Sequence, residues 1–246
     1  MTMESFESTW RGRFERFART HAEDHLVSGW SDAGLRIRLR IFRRLLAKQD
    51  LSSARVLDLG CGAGTYVRAL REAGCTAIGL DYSLPSLHRA LAAEPEGSHR
   101  TYAQAEAYRL PFPDATFDLV ASIGVFQALG TPERALEEIS RVLRPGGVVV
   151  IEFLNGLEVF ALLKAAGEKL GLWPPRVRTY SPYLVRRWLE EKGLTPHERA
   201  GIYLPPRQLS FAVRLVERFS IEKWLDHLPL VPLCGAHAFL MVGTRS

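Results

Sequence analysis

The chain has 246 residues, 47% hydrophobic and 24% charged, with a formal net charge of +5. This composition excludes a disordered or fibrous protein and allows one large α/β unit whose core needs no disulfide or metal. Cys61, Cys75 and Cys234 are too few and too scattered for a disulfide framework or a zinc site; no secretory leader or membrane-length apolar run stands out, so a cytoplasmic location is expected.

Residues 1–50 and 160–224 carry net charges of +3 and +6, around a central stretch, 51–159, at −4. Solvated helix faces account for such a pattern. The sharper reading is an anionic substrate or a peripheral membrane contact met by the basic flanks.

Phe6, Trp10, Phe14 and Phe17 recur at helical spacing and predict a first helix over residues 5–20. A polar stretch with His21, His25 and Trp30 follows. A second helix is expected over 34–48, with Leu35, Leu39, Phe42 and Leu46 on one face and Arg36, Arg40, Arg43 and Arg44 on another. The pattern then alternates. Strands are expected at 55–59, 76–80, within 99–105, at 117–122 and at 148–153, separated by helices at 66–73, 83–93 and 132–143. Arg144-Pro145-Gly146-Gly147 reads as a turn before the fifth strand. Beyond Phe153, helices are expected at 157–170, 181–192 and 209–225, with strands within 194–204 and at 236–243. Alternation of this kind predicts a mostly parallel sheet with helices on both faces.

The chemistry concentrates in Val56-Leu57-Asp58-Leu59-Gly60-Cys61-Gly62-Ala63-Gly64-Thr65. Glycines at alternate positions between a buried strand and a helix let the backbone turn sharply and a ligand approach it closely. A dinucleotide fingerprint would need its third glycine at position 65, where threonine stands. Asp58, on the strand just before the loop, would repel a pyrophosphate but suits a cationic sulfonium. S-adenosylmethionine is therefore favoured over NAD.

These residues resemble the first motif of class I methyltransferases, specifically the methyltransferase domain 11 group, and the resemblance runs from about residue 53 to 153. Asp81 closes the second strand where the family places an acid on the ribose hydroxyls. Glu106-Ala107-Tyr108-Arg109-Leu110-Pro111-Phe112 is similar to the family's D-A-x-x-L-P-F segment. There the acid accepts from the adenine amino group and the next amide donates to the ring. Glu106 stands in place of the usual Asp, with Gln104 as a competing candidate. Residues 117–122 and 141–147 match the remaining signatures. The resemblance implies a Rossmann-like, doubly wound, seven-stranded sheet with N-terminal helices and a helical insertion after the fifth strand. It also implies a cofactor set of Asp58, Gly60, Cys61, Gly62, Gly64, Asp81, Tyr82, Glu106, Ala107 and Ile123, with S-adenosylhomocysteine as product. Tyr82 and Ile123 would cover the two adenine faces; ordinary core packing is the alternative for both.

The expected organisation is an N-terminal helical lid, 1–50, and a methyltransferase domain, 51–246, with a helical cap at 154–192. A small-molecule or lipid-like acceptor is expected between lid and cap, walled by Phe160, Leu163, Trp173 and Trp188. Deletion of residues 1–48 is then expected to spare cofactor binding and abolish transfer. No catalytic residue and no metal ligand is assigned. His21 and His25 are the candidate bases, whereas His197, His227 and His237 read as surface or core. Gln127 stands where relatives place a histidine and cannot act as a base. Tyr180 and Tyr183 read as packing residues. An NAD-dependent oxidoreductase and a non-catalytic cofactor-binding module remain the alternatives. Nucleic acid is disfavoured, because Ser122-Ile123-Gly124-Val125 replaces an N-P-P-Y-type motif.

Overall fold

The computed structural model describes residues 3–95, 101–169, 177–204, 225–226 and 234–246. Seven strands form one sheet: β1 (Arg55–Leu59), β2 (Thr76–Asp81), β3 (Tyr102–Gln104), β4 (Phe117–Ser122), β5 (Leu143–Leu154), β6 (Leu194–Ile202) and β7 (Ala238–Arg245). Their order is β3-β2-β1-β4-β5-β7-β6. β7 alone runs antiparallel, inserted between β5 and β6. The chain leaves β1 in one direction and β4 in the other, which opens a crevice at the carboxyl ends of these neighbours.

The helices are α1 (Met3–Thr20), α2 (Asp24–Val27), α3 (Asp32–Leu46), α4 (Thr65–Glu72), α5 (Leu84–Ala92), α6 (Pro132–Val142), α7 (Val159–Lys169) and α8 (Pro182–Glu191). Serine side chains cap three of them: Ser31, Ser83 and Ser181 accept from the amides of Gly34, Ser86 and Leu184. One core layer joins Ile37, Ile41 and Phe42 of α3 and Val67 and Leu70 of α4 to Val56, Leu119 and Val150. The other joins Ala135, Leu136 and Ile139 of α6 and Val185 and Leu189 of α8 to Leu57, Val120 and Ile151. Period-two alternation along each strand sends successive residues to opposite layers.

Two expectations change and a third falls outside the described residues. The turn at Arg144–Gly147 lies inside β5: Leu143 pairs with Phe117 and Val148 with Leu119, so the residues between loop out of the ladder, with Gly146 at φ +75°. In α3 the buried stripe is Ile37, Arg38, Ile41, Phe42, Leu45 and Leu46; Phe42 and Leu46 are buried as expected, whereas Leu35 and Leu39 are only partly buried. This stripe is continuous with the strands, so deletion of 1–48 would strip the core; it is not a clean removal of a cover. The helix expected at 209–225 lies almost wholly outside the described residues, as do Trp173 and His227, and the side chain of Phe160 is likewise undescribed.

Arg38 is the one charged member of the α3 stripe. Its Nε donates to Glu152 Oε1 at 2.9 Å, its guanidinium carbon lies 4.4 Å from the centre of the Trp30 ring, and both ion-pair partners are buried. Among the described residues no helix is long and apolar enough to cross a membrane, and no group of three metal-ligating side chains occurs.

Candidate active site

A cavity of about 860 Å³, solvent at its mouth included, lies at the carboxyl ends of β1, β2 and β4. Its floor is the turn after β1. Gly60 (φ +77°) is pressed against Val125, and a Cβ there would run into the valine Cγ2. Gly62 (φ +52°) faces open space: a Cβ there would meet only Ser28 Oγ, at 3.9 Å. The two glycines therefore serve different needs, one close packing of the turn and the other close access to the backbone.

Asp81 closes β2 beside this floor. Its Oδ2 accepts from Gly62 N at 2.9 Å and its Oδ1 from Ser83 N at 2.8 Å. Burial raises its carboxyl above the usual range, while the Ser83, Gly62 and Tyr82 amides oppose that shift. Each oxygen keeps a further lone pair. A buried carboxylate held this way can accept from two adjacent hydroxyls.

Of the expected cofactor residues, Gly60, Gly62, Asp81, Tyr82, Glu106, Ala107 and Ile123 line the cavity. Asp58, Cys61 and Gly64 are not among the lining residues. Asp58 sits on the face of β1 that looks toward α4, where the Val67 amide approaches it. Burial, with Asp81 nearby, pushes its carboxyl up to about 8. It is therefore buried next to the floor and presents no carboxylate to the cavity, which corrects the expectation that it faces a cationic ligand. Gly64 (φ +81°) starts α4, and a Cβ there would meet Tyr102 Oη and Arg68 Nη1; its role is packing.

Glu106 lines the cavity but is already engaged. Both of its oxygens accept from the Arg11 guanidinium of α1, with Nη1 to Oε1 at 2.8 Å. Gln104 is turned away: its Nε2 donates to the Tyr82 carbonyl at 2.9 Å.

The remaining wall comes from residues that sequence reasoning did not assign to the site. Glu7, Trp10, Arg11 and Phe14 of α1, with Val27, Ser28 and Trp30, close the cavity from the N-terminal side. The aromatic stripe of α1 and an N-terminal lid were legible; which of its side chains face the cavity was not, because a core helix carries the same stripe. Trp30 rests on Gly124, where a Cβ would strike the indole ring. α2 is fastened to the start of α4 by Asp24, which accepts from Thr65 and Arg68.

His21, His25 and Gln127 do not appear among the lining residues, and neither does any described residue of 154–192. Gln127 is buried, with no hydrogen-bond partner for its Oε1. Desolvation and the Arg38 charge lower His237 to about 4, so it is neutral at physiological pH. Tyr180 is buried and donates to the Phe126 carbonyl at 3.3 Å, as a packing residue should. Tyr183 is 68% exposed and Leu163 62%, which removes the first from the packing core and the second from any described wall. Trp188 packs on Tyr180 with ring centres 5.2 Å apart.

Residues 57–151 match the family model described as a methyltransferase domain. Over 111 residues the chain is 40% identical to the malonyl-[acyl-carrier protein] O-methyltransferase of Pseudescherichia vulneris, covering 45% of this chain and 43% of that protein. It is 39% identical over 125 residues to the demethylmenaquinone methyltransferase of Thermus thermophilus, covering 49% and 56%. The chain thus spans about half the length of these two curated relatives. The fold is shared with the magnesium protoporphyrin IX methyltransferase of Synechocystis, solved with bound SAH. The TM-score is 0.67 at 15% identity, over 98% of this chain and 100% of that one.

Proposed function

We propose that the chain is a class I S-adenosylmethionine-dependent methyltransferase, as the methyltransferase-domain match over residues 57–151 supports, and that it methylates a small-molecule or lipid-like acceptor, with S-adenosylmethionine held in the cavity over Gly60 and Gly62. The observation that carries this reading is Asp81: a buried carboxylate fixed by two backbone amides at the edge of a glycine floor. Vicinal ribose hydroxyls are the donors that such an acceptor suits. The open space at Gly62 lets a ligand lie against the backbone. Tyr82, Ala107 and Ile123 add mainly apolar side chains to the lining, as a purine requires. When bound, S-adenosylmethionine supplies a sulfonium-held methyl group and leaves as S-adenosylhomocysteine.

The chain's own residues bind, orient and exclude water. Trp10, Phe14, Val27 and Trp30 form an apolar cover over the floor. Holding two reactants under such a cover is the main contribution a protein makes to a displacement of this kind. No histidine stands among the described lining residues, and the lining acids Glu7 and Glu106 are both bonded to Arg11; no proton-removing group is assigned. The apolar cover and the small or carrier-bound acceptors named for the two relatives support the acceptor class.

Two measurements test the reading. S-adenosylhomocysteine should raise the melting temperature, because it binds only the folded state, and NAD should not displace it. Radiolabelled methyl transfer to fractionated extract, followed by mass spectrometry, should yield a small or lipid-soluble product. Binding without transfer to any fraction would leave a non-catalytic module, and label confined to nucleic acid would overturn the acceptor class.

A further inference from the structure

One turn of α1 reaches three loops at the cavity mouth. Arg11 holds Glu106, in the loop after β3, through both carboxylate oxygens. The same guanidinium lies 4.7 Å from the centre of the Tyr82 ring, in the loop after β2, and Tyr82 Oη donates to the Arg11 carbonyl at 3.2 Å. Glu7, one turn earlier, accepts from Arg11, from Tyr108 Oη at 3.1 Å and from Gly130 N, in the loop after β4, at 3.3 Å. At its far end α1 is held by Arg89, which donates to the Ala18 carbonyl at 2.8 Å.

We propose that Arg11 is a positioning residue for the adenosine end of the cavity: it holds α1 in place beside the floor through Glu106 and Tyr82, with Glu106 as the latch of that helix. The inference rests on the reading that this cavity takes an adenosyl cofactor. Trp10, Arg11 and Phe14 line the same cavity as Gly60 and Gly62, so the resting place of α1 shapes the space that an adenosyl amino acid would enter. The side chains of Arg11 and Glu106 are 35% and 48% exposed. Water and salt compete for a pair this accessible, which makes it a closure that can open during turnover. A bidentate guanidinium–carboxylate contact fixes orientation as well as charge, so it sets where α1 rests over Tyr82.

The test is a double-mutant cycle on the full chain with Arg11→Ala, Glu106→Gln and both together, plus Arg11→Lys. It reads S-adenosylhomocysteine release by stopped flow and hydrogen exchange of residues 3–20 in cofactor-free protein. A latch predicts that each single variant releases the ligand faster, by about five-fold for one half-exposed bidentate pair. The double variant should be no faster than either single one. Arg11→Lys should recover most of the loss. Rising salt should speed release from the parent protein and leave the double variant unchanged. Exchange in α1 should quicken in both single variants. The proposal is overturned if Glu106→Gln weakens binding while Arg11→Ala does not, or if the two effects multiply. Should the parent protein bind no S-adenosylhomocysteine, the cofactor reading falls. The exchange measurement still decides the latch, since unchanged protection of α1 in both single variants rejects it.

Discussion

The backbone N–H of Gly62 donates to Asp81 Oδ2 over 2.9 Å, so the turn after β1 and the end of β2 are one structural unit. Asp81→Ala removes the acceptor for two amides and for the ribose hydroxyls assigned to it. Hydrogen bonds to a charged group contribute about 1.5–3 kcal/mol each, so S-adenosylhomocysteine binding should weaken roughly ten-fold or more. Isothermal titration reads this directly, and unchanged affinity would remove Asp81 from the site.

The glycines of the floor should separate in mutagenesis. Gly60→Ala drives a Cβ into Val125 at φ +77°, so the protein should melt several degrees lower. Gly62→Ala meets no neighbour closer than 3.9 Å and should cost only about 1 kcal/mol of backbone strain. It should nonetheless lose cofactor binding, because the added methyl occupies the approach to the backbone. Thermal melts with and without S-adenosylhomocysteine distinguish the two behaviours.

The buried pair behind Trp30 makes a stability prediction. Arg38→Met leaves Glu152 charged and uncompensated, a loss of about 3–5 kcal/mol when one partner of a buried pair is removed. Arg38→Met with Glu152→Gln should recover much of that loss. Denaturant unfolding monitored by tryptophan fluorescence tests both, and a double variant no more stable than the single one would argue against the pair as the cause.

Asp58 predicts how stability depends on pH. Its folded carboxyl titrates at about 8, against an ordinary value of 3.8. Between those values the folded chain holds a proton that the unfolded chain has released. Stability from this group therefore falls as pH rises across that window, and the decline ends above about 8. Asp58→Asn, neutral throughout, should remove its share of the decline between pH 5 and 8, leaving the slope of the same sign that Asp81 contributes. Denaturation midpoints at four or five pH values decide it.

Removal of residues 1–48 is now expected to prevent folding, because Ile37, Ile41, Phe42 and Leu45 belong to the same core layer as β1 and β4. Removal of 1–22 takes only α1, and should leave a folded chain with weakened cofactor binding. Circular dichroism separates the outcomes.

Sequence by itself determined the strand–helix rhythm, the glycine floor and Asp81. Each is local: period-two burial, left-handed turn residues and a strand-end acid are set by neighbours within a few positions. Asp58 and Glu106 sit at the same family positions, yet their surroundings come from elsewhere. Strand alternation turned Asp58 onto α4, and α1, 95 residues away in the chain, brought Arg11 to Glu106. The tertiary structure alone decided which groups face the cavity, which basic side chain pairs with which acid, and which residues of the expected N-terminal lid line the site. Such pairings depend on how helices settle across the sheet, and no spacing within a segment encodes them.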